Sequence, residues 1–130
     1  TLAESAWPGA LTILLRRQEK WRSLAAPGKT VAVRIPDHPL ALALLAATDA
    51  PITGSSANRH GDPAALSPEA VHEIFGDDVM VLPTLDVVPQ GMPSTILDCS
   101  VEVPRVLRSG SEDNTLITGL IASHLKVVSQ

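Results

Sequence analysis

The sequence predicts an α/β (α+β) fold in which a twisted mixed sheet is flanked by a few helices. Short apolar or β-branched runs alternate with only two or three helical signals, which favours a mixed sheet over a regular doubly wound one. The length of 130 residues fits one domain. With 45% hydrophobic residues, the chain can build a continuous core.

Six short segments are predicted as strands. Residues 11–15 follow a Pro-Gly turn, and residues 30–35 lie between another Pro-Gly turn and Pro36. Four further strands are predicted at 51–53, 79–82, 94–98 and 105–108. All are short, as expected for one compact sheet.

Three helices are predicted. Residues 39–48 form an apolar helix that Asp37 can cap, and we expect it to be covered on more than one side. A second helix begins after Ser67, with proline and glutamate in its first turn and Gly76 as its stop. Leucine and isoleucine at helical spacing predict a third helix at 112–125.

Composition and charge argue against strong nucleic-acid binding. The net charge is −4, and the chain has two tryptophans, one phenylalanine and no tyrosine. Any RNA binding is therefore expected to be weak and to use a local patch. Cys99 is the single cysteine, which fits a reducing, cytoplasmic compartment. No apolar run reaches the length of a membrane span, and no membrane association is expected.

Arg34 is the first candidate for a binding role. In a strand, Thr30, Ala32 and Arg34 share one face. The arginine either extends along a sheet edge to reach water, or its planar fork pairs with a carboxylate or phosphate. The local sequence leaves both interpretations open.

The loop from Gly54 to Asn58 is the second candidate. Its small hydroxyl and amide side chains can converge on an anion or a ribose, although polar turns of this kind are common. A serine-hydrolase elbow fits poorly, because that motif needs glycine two residues after the serine and Asn58 follows Ser56 there.

A third group combines Ser94 and Asp98, on one face of a predicted strand, with Arg108. The alternative is a strand pair with polar ends. The four histidines lack metal-ligand spacing with Cys99 or with an acid, so no metal-binding residue is assigned.

Taken together and in this order, these segments resemble the YrdC-like family, the threonylcarbamoyl-AMP synthases, and look like the C-terminal portion of that domain. Each segment is weak alone, but five in register are specific. The matching runs are residues 7–12 (WPGALT), 31–39 (VAVRIPDHP), 55–59 (SSANR), 93–98 (PSTILD) and 106–110 (VLRSG).

The resemblance implies a twisted α/β sheet around a positively lined cavity. It also implies an enzyme that joins L-threonine, bicarbonate and ATP into threonylcarbamoyl-adenylate and pyrophosphate, with Mg²⁺ expected alongside ATP. The product would pass to a downstream tRNA-modifying transferase that forms threonylcarbamoyladenosine.

Site residues follow from the same resemblance, position by position. Arg34 would pair with the threonine carboxylate, and Ser56 and Ser94 would face the threonine end. The implied nucleotide contacts are Thr30, Asn58, Arg108 and Ser67, the last replacing hydroxylated residues that family members carry nearer the asparagine. No covalent nucleophile is implied.

The resemblance also predicts a single YrdC-like domain over 1–130 that is incomplete at its N-terminus. In the family, the N-terminal half supplies a Lys/Arg-rich nucleotide motif, and these residues alone could lack activity. Two alternatives remain: a non-catalytic YrdC-like module that binds nucleotide or RNA, and the YrdC-like domain of a larger carbamoyltransferase.

Overall fold

The structure is a computed structural model that describes residues 1–22, 27–82 and 92–110, together with Gly119 and Ala122. The described chain combines helices and strands in an α/β arrangement. In order they are α1 (Leu2–Ala6), β1 (Leu11–Arg16), β2 (Thr30–Val33), α2 (Pro39–Thr48), α3 (Pro68–Phe75), β3 (Thr95–Asp98) and β4 (Arg105–Arg108). One-turn 3₁₀ segments lie at Glu19–Trp21 and Gly76–Asp78.

The four strands form one mixed sheet in the order β2-β1-β3-β4, which confirms the predicted fold class. β1 runs parallel to β3, with Leu11 opposite Thr95, although the two strands are far apart in the chain. β2 and β4 are the edge strands, and each runs antiparallel to its inner neighbour.

The hydrophobic core lies on one face of this sheet. Leu11, Ile13 and Leu97 are its buried members, and α1 and Trp7 pack over them. The indole Nε1 of Trp7 donates a hydrogen bond of 2.7 Å to the carbonyl oxygen of Leu11. Because side chains alternate along a strand, the neighbours of these residues point to the opposite face. That face carries Ser94 and the half-buried Thr12.

Helix α3 forms as predicted at both ends. The hydroxyl oxygen of Ser67 accepts a hydrogen bond of 3.2 Å from the amide of Ala70. Gly76 ends the helix with a φ of 58°, a conformation that glycine adopts without steric cost. By contrast, α1 is not among the predicted helices, although Thr1 and Glu4 have the spacing of a capping box.

Helix α2 has the predicted bounds but not the predicted surroundings. Its N-cap is His38 rather than Asp37, and the His38 side chain makes no capping bond. The expected burial on more than one side is also wrong, since no residue of α2 is buried and Leu44 is 43% exposed. Among the described helices and strands, none packs extensively against this apolar helix, although Leu42 and Leu45 are half-buried.

Two predicted strands are wrong. Residues 51–53 and 79–82 do not pair with the sheet, and Ile52 and Met80 are 45% and 88% exposed. An apolar run becomes a strand only where a neighbouring strand edge can hydrogen-bond its backbone N–H and C=O groups. Its composition alone therefore does not determine whether it joins the sheet. β2 also ends at Val33, one residue before Arg34. The helix predicted at 112–125 lies outside the described residues, apart from Gly119 and Ala122.

The described helices are all short. None of them is both long enough and apolar enough to cross a membrane.

Replacing Leu97 with alanine tests the core. Leu97 is fully buried, so Leu97→Ala should lower the free energy of unfolding by about 2–5 kcal/mol. Leu107 on the neighbouring strand is 50% exposed, and Leu107→Ala should cost less than about 1 kcal/mol. Urea unfolding of both variants measures the difference, and equal losses would contradict this placement of the core.

Candidate functional site

Ser94 joins three strands on the polar face of the sheet. Its hydroxyl lies 2.7 Å from the hydroxyl of Thr12 on β1. From β4, Arg108 donates through Nε to the carbonyl oxygen of Ser94 at 3.0 Å and through Nη2 to its hydroxyl at 3.3 Å. The register explains this meeting, because Ile96 pairs with Thr12 on one side and with Arg108 on the other.

These hydrogen bonds give Ser94 and Arg108 different roles. Ser94 is only 8% exposed, and its hydroxyl is hydrogen-bonded to Thr12 and Arg108. Ser94 therefore holds the arginine in place. Arg108 is itself exposed. Among the described residues its Nη1 has no partner, and an N–H group is left for an anion.

Gly110 permits the close approach at this point. Its amide donates to the hydroxyl of Thr95 at 3.0 Å. A Cβ on Gly110 would overlap the carbonyl oxygen of Pro93 and the backbone of Ser94 and Thr95. Glycine is therefore required sterically beside Ser94, a requirement that no local sequence signal indicates.

Arg34 is anchored just beyond β2. Its Nε donates to the carbonyl oxygen of Gly9 at 2.8 Å, and the amide of Gly9 donates to the carbonyl oxygen of Ile35 at 2.9 Å. The Arg34 side chain is exposed, and its two terminal nitrogens have no partner in the described part of the chain. The guanidinium is thus oriented by its inner nitrogen and presents its outer fork to solvent.

The parallel pairing brings Arg34, Ser94 and Arg108 to one end of the sheet. The amide of Thr95 donates to the carbonyl oxygen of Ala10 at 3.0 Å, so β1 and β3 begin side by side. Thr30 lies at the opposite end, where it pairs with Arg16. Four residue steps of extended chain separate the Cα atoms of Thr30 and Arg34 by about 13 Å.

The loop at 54–58 is exposed except for Ala57 and Asn58, which are half-buried, and Ser56 is exposed. The amide nitrogen of the Asn58 side chain donates to the carbonyl oxygens of Arg59 and Asp62, at 3.0 and 2.9 Å. These bonds close a turn and use the donors of Asn58, while its side-chain oxygen remains available as an acceptor.

Asn58 and Ser67 belong to one unit formed by the loop and α3. Arg59 links the two parts, since its Nη2 donates to the carbonyl oxygen of Ile74 at 3.1 Å and its guanidinium lies 6.0 Å from the centre of the Phe75 ring. No hydrogen bond between described residues joins this unit to Arg34, Ser94 or Arg108. By hydrogen bonding, the predicted site residues therefore form two groups, one with Ser94 and Arg108 and the other with Asn58. Thr30 has no side-chain hydrogen bond to either group among the described residues.

Asp98 is a buried carboxylate at the end of β3. Its Oδ1 accepts bonds from the hydroxyl and the amide of Ser100, at 2.6 and 2.9 Å. Arg105 Nε lies 3.5 Å from its Oδ2. The hydrogen bond from the Ser100 hydroxyl holds the pKa of Asp98 below its usual value, and the Ser100 amide and Arg105 act in the same direction.

Cys99 has an unreactive environment. It packs against the core, and burial together with the charge of Asp98 raises the pKa of its thiol. In the described part of the chain, no group of three or more His, Cys, Asp or Glu side chains converges as a metal site.

Comparison with known proteins shows clear similarity. A family model for Sua5, YciO and YrdC, described as "Telomere recombination", matches residues 1–110. The threonylcarbamoyl-AMP synthase of Bacillus subtilis is 38% identical over 126 residues, which cover 93% of this chain and 36% of that protein. The synthase of Pyrococcus abyssi is 34% identical over 127 residues, covering 95% of this chain and 37% of that one.

Two solved structures agree with the described fold. Pyrococcus abyssi Sua5 in complex with L-threonine superposes with a TM-score of 0.82 at 34% identity, over 92% of this chain and 36% of that one. Escherichia coli YciO superposes with a TM-score of 0.71 at 28% identity, over 86% of this chain and 55% of that one. This chain therefore spans about a third to about half of the length of these relatives.

Acid unfolding tests the Asp98–Ser100 contact. The pKa of Asp98 is lowered in the folded protein. A lowered carboxyl pKa contributes stability that is present above the unfolded-state pKa, about 3.9 for Asp, and is lost as pH falls through the folded-state pKa. Ser100→Ala removes the main cause of the depression, so the stability difference from wild type should be largest near neutral pH and shrink below about pH 4. Urea unfolding between neutral and acid pH measures it.

The control for this experiment is Ser55→Ala in the exposed loop, which should show no such pH dependence. A Ser100→Ala defect that stays constant into acid would contradict the assignment.

Replacing Gly110 with alanine tests the close approach beside Ser94. The new Cβ would overlap backbone atoms that cannot move freely, so Gly110→Ala should destabilise the protein by about 1–3 kcal/mol. Gly28→Ala is the matched control, because no heavy atom lies within 4 Å of a Cβ there. Equal urea midpoints for the two variants would refute the steric argument.

Proposed function

The chain belongs to the Sua5/YciO/YrdC family, and on that premise we propose that it forms part of a threonylcarbamoyl-AMP synthase. Such an enzyme joins L-threonine, bicarbonate and ATP into threonylcarbamoyl-adenylate and pyrophosphate. The observation that carries the proposal is the fit to a Sua5 structure in complex with L-threonine, with a TM-score of 0.82 over 92% of this chain.

In this proposal, Arg34 binds the carboxylate of threonine. A guanidinium with both terminal nitrogens free can donate two parallel bonds to a carboxylate. The bond from Nε to Gly9 supports this role, because an arginine that is already oriented loses less conformational freedom on binding. Ser56 and Ser94 are proposed to face the threonine end, with the buried Ser94 also holding Arg108.

The nucleotide contacts are proposed for Arg108, Thr30, Asn58 and Ser67. Arg108 would supply positive charge opposite the phosphates through Nη1, which has no partner among the described residues. Asn58 would act through its side-chain oxygen, since its two N–H donors already bond within the loop. Ser67 would act as a hydroxyl donor, because its oxygen accepts the capping bond of α3.

The chemistry needs no covalent intermediate with the protein. Condensation of the threonine amine with bicarbonate gives a carbamate and releases water. Attack of a carbamate oxygen on the α-phosphate of ATP then releases pyrophosphate. Proximity and stabilisation of phosphate charge by arginine would supply the rate enhancement.

Mg²⁺ is assigned to no residue of this chain. Magnesium bound with ATP is held by one or two carboxylates and by phosphate oxygens. Asp98 is occupied by Ser100 and Arg105, and the described residues offer no converging acidic group.

Transfer of the product to tRNA by a downstream transferase belongs to the same proposal. A cytoplasmic location is also part of this proposal. It rests on the single free cysteine and on the tRNA to which the product would be transferred. Weak RNA binding by the chain itself would accompany it.

One observation favours a second candidate, a non-catalytic YrdC-like module that binds nucleotide or RNA. Asn58 and Ser94 already have intramolecular partners, and these bonds are sufficient to explain both residues structurally. Pyrophosphate release from ATP by the full-length gene product separates the two candidates. Pyrophosphate release that requires both threonine and bicarbonate supports the synthase. Release that is unchanged when either one is omitted, or no release at all, contradicts it.

Replacing Arg34 tests the threonine site. Arg34→Ala removes a two-bond contact with the carboxylate, so the apparent KM for threonine should rise by about 10- to 100-fold while the fold is retained. Arg22→Ala is the control, since Arg22 is exposed and, among the described residues, its side chain pairs only with the exposed Glu19, at 3.7 Å. Steady-state kinetics gives both values, and an unchanged threonine KM in Arg34→Ala would exclude the assigned role.

A further inference from the structure

A second concentration of positive charge lies where β1 ends and β2 begins, at the other end of the sheet from Arg34. Residues 16–29 contain five of the chain's ten lysines and arginines and one acidic residue, Glu19. An open depression of about 460 Å³ lies in this region. It is lined by Arg16, Arg17, Glu19, Lys29, Thr30 and Ser100.

Arg16 is held in a fixed position at the wall of this depression. Its Nε donates to the carbonyl oxygen of Ser100 at 2.7 Å. Ser100 is fixed in turn by the buried carboxylate of Asp98, which accepts from both its amide and its hydroxyl. The terminal nitrogens of Arg16 have no partner among the described residues and remain free to donate.

Glu19, the acidic residue that lines the depression, is paired with two arginines. The side chain of Arg17 is only 6% exposed, donates through Nε to the carbonyl oxygen of Gly28 at 2.6 Å, and approaches Glu19 Oε2 at 3.3 Å. Arg22 Nη1 lies 3.7 Å from the other oxygen of Glu19. Glu19 therefore pairs with Arg17 and Arg22. It makes no ion pair with Arg16 or Lys29, the other cationic residues that line the depression.

The sheet register brings the remaining donors together. Thr30 pairs with Arg16 across the two strands, and the carbonyl oxygen of Lys29 accepts from the amide of Arg17 at 2.8 Å. Neither Lys29 nor Arg16 has an acidic partner within the described ranges. Residues that carry a guanidinium, an ammonium and a hydroxyl thus line one depression.

We propose that this depression binds phosphate groups, with Arg16, Lys29 and Thr30 as the donors. A guanidinium recognises phosphate oxygens bidentately, and an ammonium adds a point charge. The phosphates could come from a free polyphosphate or from the backbone of RNA, and both present the same chemistry here. The proposal goes beyond the synthase activity and shares only Thr30 with the residues assigned to it.

Calorimetric titration of the chain with inorganic pyrophosphate, and separately with a short uridine oligonucleotide, tests this site. Arg16→Gln and Lys29→Gln should each weaken binding by about tenfold, because each removes a charge-assisted contact. Lys29 has no side-chain partner among the described residues, so Lys29→Gln remains informative if Arg16→Gln perturbs folding. Threonine and ATP are absent, so failure of the synthase assignment would not affect the result.

Lys20→Gln is the matched control. It removes one positive charge from the same segment, but the Lys20 ammonium lies 5.6 Å from the centre of the Trp21 ring and does not line the depression. At an ionic strength of about 0.15 M it should change affinity by less than about twofold, since distant exposed charges are screened. An equal loss in Lys20→Gln and Lys29→Gln would show diffuse attraction and overturn the proposal.

The two titrations also identify the source of the phosphate. Tighter binding of pyrophosphate indicates a free polyphosphate. Tighter binding of the oligonucleotide indicates an RNA backbone. In that case the slope of log K against log salt concentration should be smaller by about one in Lys29→Gln. If the wild-type chain binds neither anion, the proposal is overturned.

Discussion

The parallel pairing of β1 with β3 is the constraint on which the rest of the described structure depends. It places Leu11 beside Thr95 and closes the core between Leu11, Ile13 and Leu97. The strands are distant in the chain, since Thr12 and Ser94, whose hydroxyls meet, are 82 positions apart. A parallel pair requires such a crossover, which costs loop-closure entropy that burial of the core offsets.

The same pairing positions both ends of the polar face. At the start of the strands it brings Ser94 to Thr12, and thereby fixes Arg108. At their end it brings Ser100 within 2.7 Å of Arg16. A slip of one residue in this register would move both sets of side chains to the opposite face.

Three exposed arginines share one arrangement. Arg16, Arg34 and Arg108 each donate through Nε to a backbone carbonyl oxygen, and each keeps at least one terminal nitrogen without a partner in the described part of the chain. Folding has already restricted these long side chains, so an anion that binds them meets a smaller entropic cost. Arg17 differs, because its side chain is buried and bonds through all three nitrogens, which suits a structural role.

The sequence by itself determined the fold class, the positions of β1, β3 and β4, the bounds of α2 and the complete start and stop of α3. These features depend on local signals, such as the Ser67 cap and the Gly76 stop, or on short apolar runs that do find a partner. The order and spacing of the five motifs along the chain were also sufficient to indicate the family.

Only the tertiary structure decided which residues meet. It separated Thr30 from Arg34, left residues 51–53 and 79–82 outside the sheet, and left α2 exposed within the described chain. It also showed that Gly110 must be small and that Asp98 is committed to Ser100. The physical reason is that propensity and capping act over a few residues, whereas strand pairing, burial and the hydrogen bonds of Arg16 and Arg108 join segments that the sequence keeps apart.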